Sequence, residues 1–563
     1  MTDPAPESFT DAERARLAPH FTNLDHPIFG IVNLPEAVKG ALFARYSRYP
    51  GTLRRLFLEE FADTLPEGPA QAWDGQEGRR AAELYERIFA GYGDDSVAQL
   101  GGAHVACEWV SNVVTKVLQR PRLGAYLEQS TRYIAYDSPM PGGGHRYYRD
   151  PRLGSIYTEA MDALFGTYSY LLPRIRTWAA ETYPAAEGEP APAHERAIRA
   201  KSLDLLRGLL PAGSLSHMGI FATGQTYEQL ILHLLAHPLP EAQECGRGIL
   251  EAVRAIMPSF VSRVDRPDRG GEWVTYLERR EQAARRWASR LGLDRPAAAD
   301  DSGPYVRLVH VDGTEDDLLA ALLFEASHAD DGYLHAAVAD LSSEERSQLL
   351  ADLVGLRVNR RHRPGRGFEA IRYRFEIVSD YGAFRDLQRH RLLTSQWQGL
   401  TPDLGAGIPE ELERAGAGDD YRRALDLSAR TYHRLADSGL EELAPYALCL
   451  AYRIRYVLDL NAREAMHLIE LRSGREGHPS YRAVAHEMHA QIAGVHPAVA
   501  EAMTHLDRET EPRLERILSE IRSDARRQRV SSAAPVGQAR AEAEPGPGGS
   551  DIRITRATRA SQP

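Results

Sequence analysis

Cysteine is scarce in this chain, with three in 563 residues, Cys107, Cys245 and Cys449. They form no CxxC pair and no even-numbered set, which excludes a disulfide framework and fits a reducing, cytoplasmic compartment. Long hydrophobic runs are also missing. None reaches the roughly 18–20 residues that span a bilayer, so no membrane partner is expected. The N-terminal MTDPAPESFTDAE is acidic and has no apolar h-region, unlike a signal peptide. Excess positive charge is the third absence. Sixty-eight Lys and Arg face 79 Asp and Glu, a formal charge of −11. That balance excludes a generic nucleic-acid binder while leaving room for a local basic pocket for a small phosphorylated ligand.

What is present is long and mostly helical. Length alone suggests two to four domains. Residues 1–20 are rich in Pro, Ala and acid, and 528–563 are rich in Gly, Pro, Ser and Arg, so both ends read as disordered. ELYERIFAGYG, IYTEAMDALFGTYSYLLPRIRTWA, TYEQLILHLLAHP and RRALDLSARTYHRLA repeat apolar residues at helical spacing. Strand signals are fewer. IRYRFEIV (371–378) alternates apolar and charged residues, and PYVRLVHV (304–311) is a second candidate. DRPAAADDSGP (294–304) breaks the periodicity and divides the chain into halves, 21–293 and 304–527.

The frame LQR-x-RL occurs at 118–123 and again 269 positions later at 387–392, with Pro121 in the first copy where His390 stands in the second. Each copy follows a strand and a short Ser- or Asp-started helix. That order points to an internal duplication. In the second copy Arg389 and Arg391 flank His390. Two planar guanidinium forks beside an imidazole suit an anionic ligand that also carries a ring, although a basic last helical turn has the same look. In LNAREAMHLIELRSG (460–474), Asn461 and Glu464 have capping-box spacing and Gly474 is a helix stop. Arg463 and His467 share a face, with Arg472 nearly opposite Arg463. In the first half, YLEQSTRYIAY gathers Glu128, Ser130, Arg132 and Tyr133, a hydroxyl, a guanidinium and a phenol able to take a phosphate ester and contact a base. The His pair in HEMH (486–489) has no third ligand in a recognisable motif, and PGGGH (141–145) lacks the strand–helix setting of a phosphate loop, so no metal site is expected.

Together, RHR and NAR-x3-H-x4-R resemble the flavin-dependent thymidylate synthases. The resemblance covers most of the second half and more faintly the first, as in a tandem fusion of two such modules. It implies an α+β fold, each module a small sheet with a long helical part. It also implies active sites between subunits that bind FAD and dUMP, with methylenetetrahydrofolate and NADPH as co-substrates. By that resemblance Arg389, His390, Arg391, Asn461, Arg463, His467 and Glu128 would contact the cofactor. Ser130, Arg132, Tyr133, Arg207 and Arg120 would contact the nucleotide. Arg472 would be the catalytic residue, stabilising charge on the pyrimidine ring. The chemistry needs no enzyme nucleophile, which agrees with cysteines in apolar contexts.

The departures are complementary. In the second half Trp397, Gly399 and Pro445 stand where the family pattern has glutamate, serine and a phosphate-binding arginine. The first half keeps Glu128, Ser130, Arg132, Tyr133 and Arg207 but has Pro121, Thr223, Gln225, Gln229 and Leu234 in place of His390, Asn461, Arg463, His467 and Arg472. The halves are therefore expected to supply one composite site, and a homodimer would be a pseudo-tetramer. The expected activity is reductive methylation of dUMP to dTMP. Flavin-dependent one-carbon modification of another pyrimidine nucleotide, or a non-catalytic flavin- or nucleotide-binding scaffold, are the alternatives.

Overall fold

The computed structural model describes residues 7–64, 99, 101–293, 303–510 and 514–532. ELYERIFAGYG, most of the segment 294–304, and the tail beyond 532 lie outside them. Each half contains one four-stranded antiparallel sheet. The first comprises β1 (Ile28–Ile31), β2 (Gly102–Ser111), β3 (Gly124–Glu128) and β4 (Leu215–Thr223), in the order β1-β2-β4-β3. The second comprises β5 (Tyr305–Asp312), β6 (Arg372–Asp380), β7 (Leu393–Trp397) and β8 (Arg453–Asn461), in the same order, β5-β6-β8-β7. The expected α+β fold of two tandem modules is what the chain adopts.

Local sequence explains these elements. Along β6, Tyr373, Phe375 and Ile377 are buried while Arg372 is exposed and Arg374 and Glu376 are half-buried, the period-two pattern of a sheet with one covered face. Asp380 ends β6 and caps the helix Tyr381–Leu387 by accepting from the Ala383 amide at 2.8 Å. Ser111 does the equivalent work in the first half, accepting from the Val114 amide at 3.1 Å ahead of the helix Val114–Leu118. Each LQR-x-RL frame therefore runs from a short helix into a sheet strand, β3 or β7.

The halves share one core. The 29-residue helix Gly154–Thr182 of the first packs on Gly418–Asp437 of the second, and Ala191–Leu206 packs on Ile517–Ser532. At the seam the chain pairs with its own echo. Pro211 bridges Cys449, Ala212 donates to the Leu448 carbonyl (2.7 Å), and Leu450 donates reciprocally to that of Leu210 (2.9 Å). Likewise the Gly213 amide meets the Tyr446 carbonyl (2.9 Å) and the Ala451 amide meets that of Gly208 (3.0 Å). Such reciprocity is the signature of a two-fold relation.

Two expectations about the ends are corrected. Residues 1–20 hold a helix, Asp11–Leu17, because Thr10 and Glu13 form a capping box that the composition of the stretch conceals. The last helix, whose Glu520 and Asp524 pair with Arg196, continues to Ser532, past the expected start of the tail. Cys107, Cys245 and Cys449 are free and buried, and burial pushes the Cys107 and Cys449 thiols up to about 12. Among the described residues no helix is long and apolar enough to cross a membrane.

Candidate functional site

The two halves meet at Glu128, at the end of β3. Its buried carboxylate takes Lys116 Nζ (2.9 Å) and Gln119 Nε2 (2.9 Å) from its own half, and Arg385 Nη2 (2.7 Å) and Arg389 Nη2 (2.9 Å) from the other. Burial would raise this carboxyl, but the three cations hold it well below the usual range. Lys116 is pushed down to about 7, by burial in the first place. Glu128, expected to touch a cofactor, instead has its oxygens enclosed by protein and positions the arginines.

Beside this cluster Ser130, Arg132 and Arg207 of the first half face Arg385, Asp386 and Arg389 of the second across a small pocket. Arg385 and Asp386 lie in the last turn of the helix Tyr381–Leu387, and Arg389 lies in the turn that follows it. Three buried guanidinium nitrogens of these residues have no hydrogen-bond partner, Arg207 Nη2, Arg385 Nε and Arg389 Nε, and the first lies 3.9 Å from Asp380. Asp386 lies 3.3 Å from Arg207 Nη1 and 3.8 Å from Arg389 Nη1. Burial would raise its carboxyl, but Arg389, Arg207 and Arg472 hold it below the ordinary range. The free space, about 10 Å³, holds one water, so a larger anion enters only if the arginines open. Arg132 is engaged elsewhere as well. It forms a fork with Asp204 (Nε 2.7 Å, Nη2 2.6 Å) and reaches the Tyr481 hydroxyl (3.0 Å).

Behind the pocket is a hydrogen-bonded chain. Asn461 ends β8 and caps the helix Ala462–Arg472 by accepting from the Glu464 amide at 2.9 Å. The Glu464 side chain does not return the capping-box bond; it bonds His390 Nδ1 at 2.9 Å. Arg472 Nε donates to His390 Nε2 at 3.1 Å. Since arginine only donates, Nε2 accepts, and the neutral imidazole carries its proton on Nδ1, facing Glu464. Burial lowers the His390 pKa well below its usual value, with Arg472 adding to the shift. His467 stands 5.3 Å from His390, ring to ring, and burial lowers it to about 4. The donor atoms of His390, Glu464 and His467 fall within 4.8 Å of one another, but Arg472 and Arg363 face the same trio and their charge opposes a cation there.

Other expected site residues lie apart. Arg463 bonds the Pro364 carbonyl at 3.0 Å and pairs with Glu369. Arg391 is exposed, 5.9 Å from the Tyr126 ring. Tyr133 has Arg48 (4.6 Å) and Arg516 (4.2 Å) over its ring and is not among the residues lining the arginine pocket. Arg120 sits over Trp397 at 5.3 Å, on the far side of the pseudo-two-fold. Sequence reasoning missed Lys116, Arg385, Asp386 and Arg363. The i, i+1, i+4 spacing of Arg385, Asp386 and Arg389 was the available signal for two of them. His486 and His489 bond the backbone carbonyls of Asp507 and Ala500, and Gly142–Gly144 form a turn of positive φ.

Comparison with known proteins places these features in a context. The profile of the thymidylate synthase complementing protein family matches residues 55–259 and 310–498. A UPF0159 protein of Chlamydia muridarum is 38% identical over 514 residues, covering 89% of this chain and 96% of that one. A UPF0159 protein of Thermoplasma acidophilum is 30% identical over 522 residues, 87% of this chain and 99% of its own. A flavin-dependent thymidylate synthase of Geobacter sulfurreducens is 30% identical over 125 residues, 21% of this chain and 54% of that enzyme. The solved UMP/dUMP methylase PolB from Streptomyces cacaoi, 20% identical with a TM-score of 0.30, spans 37% of this chain and 98% of its own.

Proposed function

Because this chain belongs to the thymidylate synthase complementing protein family, we propose that its two halves build one composite site that methylates a uridine-type nucleoside monophosphate. The carrying observation is that Arg207, Arg385 and Arg389, each with a buried guanidinium nitrogen lacking a hydrogen-bond partner, line a pocket that neither half lines alone. Unpaired buried guanidinium nitrogens are costly, and a phosphate is the ligand that relieves them. Ser130 adds a hydroxyl at the same wall. Arg472, oriented by neutral His390, would stabilise charge developing on the pyrimidine ring. Glu464 holds His390 in the tautomer that accepts from Arg472, and Glu128 keeps Arg385 and Arg389 directed at the phosphate.

By family resemblance FAD would be held by Arg391, which is exposed, and by His467 and Arg463, which are half-buried. When bound it would supply electrons drawn from NADPH and pass on the carbon of methylenetetrahydrofolate. Two chains would then form a pseudo-tetramer with half its sites silent.

The test is direct. Purified protein should take up FAD, seen in its visible spectrum, bind dUMP and convert it to dTMP, and the gene should relieve a thymidine requirement. Protein that neither takes up FAD nor binds dUMP would sink the enzyme reading in favour of a scaffold. A second reading, another pyrimidine nucleotide, is favoured by Asp386, whose carboxylate could accept from a sugar hydroxyl near the phosphate end. UMP binding tighter than dUMP, with the preference lost in Asp386→Asn, would establish it.

A further inference from the structure

The loop Leu356–Arg366 stands beside the composite site and has no role in the reaction outlined above. It carries Arg357, Arg360, Arg361, Arg363 and Arg366 and no Asp or Glu, within a chain of formal charge −11. The corresponding stretch of the first half, 269 positions earlier, reads RIFAGYGDDSV over 87–97, with a single arginine, Arg87, against Asp94 and Asp95, and with Asp94 at the place of Arg363. The positive charge therefore belongs to one copy only, the copy that keeps His390 and Arg472.

The loop is clamped at both ends. Buried Arg357 forms a fork with Glu470 (2.7 and 2.6 Å) and donates to the Ala502 carbonyl at 2.8 Å. Arg463 Nε holds the Pro364 carbonyl at 3.0 Å, and Arg366 is paired with Glu369 at 3.2 Å. Between these clamps, Arg360, Arg361 and Arg363 meet no carboxylate within ion-pair distance among the described residues. Arg363 Nη2 instead lies 3.3 Å from His467 Nδ1, at the edge of the site. Leu356 and Val358, on either side of Arg357, are 90% and 70% exposed. A fixed backbone thus presents three uncompensated guanidinium groups together with two bare aliphatic side chains.

That combination suits a ligand with a compact dianion and a flat apolar ring. We propose that this loop binds the adenosine end of a phosphorylated nicotinamide dinucleotide, the 2′-phosphate on Arg360, Arg361 and Arg363 and the adenine face on Leu356 and Val358. A phosphate monoester near neutral pH concentrates about two charges on three oxygens, the pattern that several guanidinium forks match best. The choice of ligand rests on the flavoenzyme reading, which requires a reductant; the binding surface does not. Arg363 touching His467 sets the direction, with the rest of the dinucleotide leading from the loop toward the site.

Isothermal titration of the full chain with 2′,5′-ADP, ADP and adenosine tests this, alongside Arg360→Glu/Arg361→Glu. The wild type should bind 2′,5′-ADP more tightly than ADP, and the double variant should lose about tenfold or more of that affinity, as should added salt. ADP affinity should fall by about threefold or less. If 2′,5′-ADP does not bind, binds the variant as well as the wild type, or loses no more than ADP, the proposal is overturned. Should charge reversal disturb folding, Arg360→Ala/Arg361→Ala gives the same comparison, with circular dichroism as the control. Titration of dUMP on the same samples reports separately on the nucleotide pocket, so a failure there is distinguishable from a failure of the loop.

Discussion

The two copies of LQR-x-RL make opposite contacts with the half they face. In the second copy Arg389 enters the other half and finds a buried carboxylate, Glu128, 2.9 Å away. In the first copy Arg120 makes the equivalent approach and finds Trp397, the residue at the place of Glu128, 5.3 Å from its ring. One crossing is an ion cluster that holds arginines ready for an anion. Its counterpart is a cation over an indole, which packs the seam without gathering charge. Around it Leu400 and Pro445 stand where Thr131 and Arg207 line the arginine pocket, and Leu400 is buried. The two crossings differ accordingly, one an ion cluster and the other the packing of a cation on a ring.

The comparison can be broken most forcefully at Glu128. Glu128→Gln leaves Lys116, Arg385 and Arg389 without their shared counter-charge and should cost about 3–5 kcal/mol in a urea unfolding titration. A loss below about 1 kcal/mol would mean that the crossing, like Arg120–Trp397, is packing alone. Next is Arg472→Ala, expected to lower kcat about 100- to 1,000-fold with a smaller change in the KM for dUMP, as for removal of a group that acts in the transition state. Equal losses in both would reassign Arg472 to ground-state binding.

A smaller effect is expected with pH. His467 is held near 4, below its ordinary 6.5, so between those values the unfolded chain binds more protons than the folded one. Stability should be complete above about 6.5 and decline as the pH falls toward 4, and His467→Gln should flatten that slope in thermal melts. The smallest change is expected from Pro121→His, which restores the triplet on the filled side, where Thr223, Gln225 and Leu234 replace the rest of the set. Turnover and FAD stoichiometry should stay at the wild-type values; a second equivalent of FAD per chain would show that the silent side is intact.

Much of this was legible before the fold. The alternation in IRYRFEIV reports β6 directly, because a strand with one covered face writes its burial into every second residue. RHR and NAR-x3-H-x4-R identify His390, Asn461 and Arg472 of the hydrogen-bonded chain, the second motif because it follows one regular helix. What could not be read were partners brought from the other half. Glu128 lies 257 residues from Arg385, and whether its carboxylate meets a ligand or a protein cation depends on tertiary contact alone. Glu464 misleads for a related reason: its spacing from Asn461 advertises a capping box, yet a buried imidazole competes for the same oxygen and wins it. Asp386 shows another limit, an acid whose place among arginines of both halves depends on tertiary contact.

The crossing at Pro211 and Cys449 has a kinetic meaning. In a dimer of separate subunits, a half lacking His390 would exchange with others like itself, and many pairings would be empty. Covalent linkage makes the correct partner permanently available at an effective concentration that dilution does not lower. Each half is thereby relieved of maintaining a full set of ligands. The hydrogen bonds across the seam thus record a change in the unit on which selection acts, from the single module to the pair.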